Sequence, residues 1–166
     1  GAPLNFPVAW CHGAVGGAFA RLSLRDLADS RVEQEIEAAI DTTVRYLSHA
    51  APPHASFCLC HGLAGNADLL LEAAAQLDRP DLRQLAEQAA GVGLNSFHAL
   101  NLPWPCGVAG AGECPNLMLG LAGIGYFYLR VAAPDDVRSL LAVPRADNAS
   151  MQSSARESTA VPADGR

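Results

Sequence analysis

The run Cys11-His12-Gly13-Ala14-Val15-Gly16 returns as Cys60-His61-Gly62-Leu63-Ala64-Gly65, and no other feature of the sequence narrows the fold so far. Weaker echoes follow at Cys106-Gly107-Val108-Ala109-Gly110 and Gly120-Leu121-Ala122-Gly123. The first two copies begin 49 residues apart, and Gly62 and Gly120 are separated by 58. Self-similarity on this scale marks stacked supersecondary units, each too small to bury its own apolar face. Glycine at a helix start lets backbones approach closely and takes angles that a side chain forbids. Glycine turns gathered at one end of successive helices would bring the residues beside them together, although they are far apart in the chain.

Each copy opens an apolar stretch that reads as a helix: Phe19 to Leu27, Leu69 to Leu77 and Ile124 to Val131. Amphipathic segments lie between them. In Arg31 to Ala50, the residues Val32, Ile36, Ile40, Val44 and Leu47 recur at the spacing of one helical face. Ser30 with Glu33 offers a capping box at its start, and Pro52-Pro53 stops it. Asp81 to Phe97 repeats the pattern through Leu82, Leu85, Ala89 and Val92. Helix, loop, helix and glycine turn thus alternate about every 50 residues. Few segments read as strands, so the expected fold class is all-α.

Half of the residues are hydrophobic and 17% are charged, a composition that supports a buried core. A net charge of -6 leaves no basic surface to neutralise phosphates, which argues against nucleic acid as a partner. No apolar run approaches the roughly 20 residues of a membrane span, and with no n-region/h-region pattern at Gly1 no signal peptide is expected. The expectation is a soluble, cytoplasmic protein. From Arg145 to Arg166 the sequence loses its period and becomes rich in Ala, Ser, Asp and Arg, so residues 145–166 are expected to form a disordered tail. Residues 1–144 are the expected domain.

The five cysteines, Cys11, Cys58, Cys60, Cys106 and Cys114, are odd in number, and two adjoin histidines. That pattern suits metal or thiol chemistry better than a disulfide framework. Thiolate and imidazole are ligand types that zinc prefers, and Gly62 allows the tight bend that adjacent ligands need. An isolated Cys-His pair is more often a buried thiol beside a core histidine. Its duplication changes the balance, because two such pairs in equivalent positions present three or four ligands to one point, as an open zinc site requires. Spacing does not say which of the four is left out. Cys58 reads as a small buried residue, Cys106 and Cys114 as loop residues, and His49, His54 and His98 as surface or core residues.

Trp10-Cys11-His12-Gly13, Leu59-Cys60-His61-Gly62-Leu63-Ala64-Gly65-Asn66, Trp104-Pro105-Cys106-Gly107 and the run from Pro115 to Tyr126 together resemble the lanthionine synthetase C-like family. Leu117-Met118-Leu119-Gly120-Leu121-Ala122-Gly123-Ile124-Gly125-Tyr126, followed by Arg130 and Pro134, is most similar to the cyclase region of class II lanthipeptide synthetases. The resemblance implies an α/α toroid of stacked helical hairpins with a central zinc ion. Carried over by motif position, the zinc ligands are Cys11, Cys60 and His61, with substrate thiol or water in the fourth place. His12 then corresponds to a proton-transfer or ligand-orienting residue. The implied reaction adds a cysteine of a dehydrated precursor peptide to dehydroalanine or dehydrobutyrine, forming a thioether ring. Such toroids are about twice as long as this chain, which leads us to expect self-association or pairing with the remainder of the toroid.

Two other function classes compete. An α/α barrel acting on glycosides would need paired carboxylates, for which Asp68, Glu72 and Glu113 are available. A non-catalytic relative would hold zinc, or bind thiols or peptides, without turnover.

Overall fold

A computed structural model of the protein describes residues 7–27, 29–49, 55–110 and 112–142, and every regular element within them is helical. The expected all-α class therefore holds for these residues. Five α-helices follow one another: α1 (Ala14–Ser23), α2 (Ser30–His49), α3 (Leu63–Leu77), α4 (Pro80–Gly93) and α5 (Leu121–Ala132). A 3-10 turn, Arg25–Leu27, follows α1, and a π-helical turn, Leu94–His98, extends α4. The segments 50–54 and 143–166, with Pro52-Pro53, His54 and the expected tail, lie outside the described residues.

The period of α2 is read correctly, but its cap is not Ser30. Asp29 precedes the helix, and its Oδ1 accepts the Arg31 N–H at 2.8 Å, while Ser30 is already helical. The carboxylate satisfies one of the unpaired first-turn amides. Helices α1 and α3 begin five and six residues before the expected Phe19 and Leu69, because their glycine-rich first turns are helical. Helix α4 stops its α-helical course at Gly93, and the π turn carries the chain to His98.

Helices α1 and α2 form one hairpin and α3 and α4 a second, while α3 also touches α1, α2 and α5. This central position explains α3's composition. Leu63 through Leu71 are buried without a break, so the helix has no solvent face over that length. Asp78 ends it in the left-handed region (φ 54°, ψ 50°), Arg79 N–H bonds the Ala74 carbonyl at 3.0 Å, and Pro80 starts α4 where its missing donor costs nothing.

Three glycine turns repeat in space as they do in sequence. The first amide of each inner helix reaches a carbonyl seven residues back: Ala14 to Pro7 at 3.4 Å, Leu63 to Ser56 at 2.9 Å and Leu121 to Cys114 at 2.8 Å. A side chain on Gly16, Gly65 or Gly123 would collide with the carbonyl oxygen of Trp10, Leu59 or Leu117, six residues earlier in every case. The turns are also bonded to one another. Trp10 N–H donates to the Cys60 carbonyl at 2.9 Å, and Cys60 N–H donates to the Met118 carbonyl at 3.0 Å. This ladder holds the starts of α1, α3 and α5 side by side, as the stacked-hairpin architecture requires.

Candidate metal centre

The same ladder positions the chemistry. Each glycine turn carries its sequence motif just before the helix, so bonding Trp10 to Cys60 places two Cys-His pairs on adjacent turns. Gly13 takes φ 131°, a value open to glycine, and a side chain there would strike the Pro7 carbonyl. Gly62 is enclosed by the backbone of Ser56 and Cys58. These constraints fix the bends that present Cys11 and Cys60-His61.

Cys11, Cys60 and His61 converge, their candidate ligand atoms all lying within 4.8 Å of one another. Ligands on a tetrahedral zinc stand roughly 3.5 to 3.8 Å apart, given bonds of about 2.3 Å to sulfur and about 2.0 Å to nitrogen. The three atoms thus match the donor chemistry of zinc and need only a small contraction to match its geometry. Cys11 is exposed and the other two are half-buried, so one side of the cluster faces solvent. Desolvation, together with the thiols of Cys11 and Cys58, pushes the Cys60 thiol up to about 11. Without a cation, a second negative charge at this point is unfavourable; a divalent cation would supply the compensation.

His12 stands outside the three-residue cluster. Its Nδ1 lies 3.0 Å from the Cys11 sulfur, and the ring is exposed. Cys58 is fully buried, with its sulfur 3.3 Å from the Ser56 hydroxyl. Cys106 and Cys114 do not join the cluster, and His49 and His98 are exposed away from it. The carboxylates that a glycosidase would need are engaged elsewhere. Asp68 and Glu72 both pair with Arg130, at 2.5 and 2.7 Å, and Glu113 accepts the Trp104 backbone N–H at 2.8 Å.

Two supporting residues carry no assigned role in the sequence reading. Asn66, fully buried on α3, donates from Nδ2 to the Val8 carbonyl at 3.2 Å and so anchors the segment that leads to Cys11. Its Oδ1 has no hydrogen-bond partner among the described residues. Gly107 packs against the histidine: a β-carbon there would lie 3.0 Å from His61 Cε1 and 2.7 Å from the Cys58 sulfur. The signal for Gly107 was its place in the Cys106 echo of the repeat.

Comparison with known proteins bears on the same residues. A family model described as "Lanthionine synthetase C-like protein" matches residues 2–144. The chain is also 30% identical over 141 residues to the lacticin 481/lactococcin biosynthesis protein LcnDR2 of Lactococcus lactis subsp. lactis. That alignment takes in 76% of this chain but only 14% of the relative, so the chain spans a small part of the relative's length.

Proposed function

The chain belongs to the lanthionine synthetase C-like family, and we propose on that basis that it is the zinc-holding part of a peptide cyclase. The reaction is addition of a cysteine thiol of a dehydrated precursor peptide to dehydroalanine or dehydrobutyrine, which forms a lanthionine-type thioether. The convergence of Cys11, Cys60 and His61 is the observation that carries this reading. Membership of the family supports the reaction class, and the name of the Lactococcus relative ties that protein to lantibiotic biosynthesis.

Cys11, Cys60 and His61 would hold the ion, leaving a fourth position toward solvent. When bound, zinc would supply a soft Lewis acid that lets a peptide thiol ionise near neutral pH, where a free thiol with a pKa of roughly 8.5 is mostly protonated. Two thiolate ligands balance the charge of the ion, a donor set suited to keeping an added sulfur electron-rich rather than to polarising water. The peptide sulfur bonds to the β-carbon of the dehydro residue, the double-bond pair moves to the enolate, and the α-carbon then needs a proton. His12 is assigned that task. Its Nδ1 faces the Cys11 sulfur, which leaves Nε2 of an exposed ring to carry the proton. Gly107 keeps the space beside His61 free of a side chain.

The test is cyclisation of a dehydrated precursor peptide, read as loss of free peptide thiol without change in mass. The chain alone is expected to cyclise slowly and a version extended with further toroid helices faster, since misplacing reactants by about 1 Å already costs ~100-fold. Cys60→Ala should abolish both rates, and His12→Asn should lower turnover while zinc content stays intact. Ring formation that persists in a Cys11→Ala/Cys60→Ala variant would overturn the proposal.

A further inference from the structure

Cys106 and Cys114 lie outside the metal cluster, and they bracket a glycine-rich loop whose ends are tied together. Gly107 N–H donates to the Leu119 carbonyl at 2.7 Å, and the Cys114 thiol is directed at the same oxygen, 3.9 Å away. Glu113, the neighbour of Cys114, accepts the backbone N–H of Trp104 at 2.8 Å. Glu113 thus ties 113–114 to the segment 104–107, and both segments also reach the Leu119 carbonyl. Cys114 is near enough to Cys106 to influence its thiol. Between the cysteines, Gly110 and Gly112 take φ of 74° and 64° with open space around them. The loop can thus adjust when its ends are drawn together. Both cysteines are half-buried and within reach of a small reagent.

From this geometry we infer that Cys106 and Cys114 are a redox pair, closing a reversible disulfide by exchange with a low-molecular-weight disulfide such as oxidised glutathione. The thiolate of one cysteine attacks a sulfur of the reagent and expels one thiol. The second cysteine then attacks the resulting mixed disulfide and expels the other. Two cysteine protons end on the two released thiols, and the reagent is reduced as the protein is oxidised. Burial, with the nearby Cys114 and Glu113, pushes the Cys106 thiol up. The reduced pair thus lacks the stabilised thiolate that makes a disulfide strongly oxidising, so the bond, once formed, persists until a reductant acts.

The pair is linked to the metal cluster through one residue. Gly107 follows Cys106 directly and comes so close to His61 and Cys58 that a β-carbon on it would lie 3.0 Å from His61 Cε1 and 2.7 Å from the Cys58 sulfur. Drawing Cys106 toward Cys114 moves Gly107 and, through it, the imidazole. This regulatory consequence rests on the proposed metal reading; the disulfide itself does not.

Zinc-loaded protein would be incubated with excess oxidised glutathione, its remaining thiols alkylated, and its peptides mapped by mass spectrometry. The expected result is a peptide cross-linked between Cys106 and Cys114, with loss of two of the five free thiols and their recovery under dithiothreitol. In Cys106→Ser or Cys114→Ser, the surviving cysteine should instead carry glutathione. Glutathione on both residues of the unaltered chain, linkage to other cysteines, or no reaction at either would overturn the inference, and none of these outcomes depends on a variant that must fold. Cobalt absorption of the reduced and the cross-linked chain tests the link to His61. A shifted spectrum is expected, and identical spectra would overturn the coupling. Failure of the reduced chain to take up cobalt would count against the metal reading alone, because the peptide map identifies the cross-link whether or not zinc is bound.

Discussion

Cys60 sits at the point of the cluster where a negative charge is least welcome. Its thiol is raised to about 11 by burial first and by the thiols of Cys11 and Cys58 next, so near neutrality it holds its proton. A divalent ion that binds here must displace that proton. Affinity should therefore rise with pH, by roughly tenfold per unit for each proton released. Competition against a chelator between about pH 6.5 and about pH 8 measures the slope, and a flat profile would show that the thiols are not the ligands. The candidates were legible because the Cys-His pair is duplicated; a single pair would have read as core. Choosing His61 over His12 was not possible from spacing, since the two occupy equivalent positions in their repeats. The structure separates them: the ring of His61 lies with the two sulfurs, whereas His12 turns its Nδ1 to Cys11 alone. Gly107 was invisible as a neighbour of His61 because their contact crosses 46 residues of sequence and is made by backbone.

At the scale of elements, periodicity found α2 nearly whole, because one apolar face and one polar face alternate regularly along it. It missed the first turns of α1 and α3. Glycine there lowers helix propensity locally, and the compensation comes from carbonyls and neighbouring turns that no single segment displays. Glycines of the two kinds should respond in opposite directions to the same change. Gly65→Ala forces a β-carbon onto the Leu59 carbonyl and should destabilise the protein by about 1–3 kcal/mol. Gly17, exposed within α1 with nothing within 4 Å of an added β-carbon, should gain about 0.5–1 kcal/mol on substitution by Ala. Denaturant midpoints of the two variants decide the matter. Equal shifts would mean that the close approach of turn to helix is not what those glycines serve.

In the whole molecule, α3 is the axis to which the other parts are fixed. Arg130 of α5 is buried with Asp68, 2.5 Å away, and bonds Glu72 at 2.7 Å and the Val137 carbonyl at 3.0 Å; the Ser139 hydroxyl donates to Asp68. Removing Arg130 leaves the buried Asp68 carboxylate without its cation, so Arg130→Ala should cost roughly 3–5 kcal/mol, read as a loss of unfolding free energy. A loss below about 1 kcal/mol would mean that the pair is solvated. Helix α5 meanwhile presents Leu121, Ala122, Gly125 and Leu129 outward, with Leu129 60% exposed. The sequence supplied the helical class and the convergence of the motifs, but not this long-range ion network, whose members are 58 and 62 residues apart. The account as a whole turns on whether the converging turns hold a metal ion. Metal analysis of the purified chain after exhaustive dialysis should find about one zinc per chain, and essentially none in Cys11→Ala/Cys60→Ala. A metal-free chain, or a double variant that retains stoichiometric zinc, would contradict it.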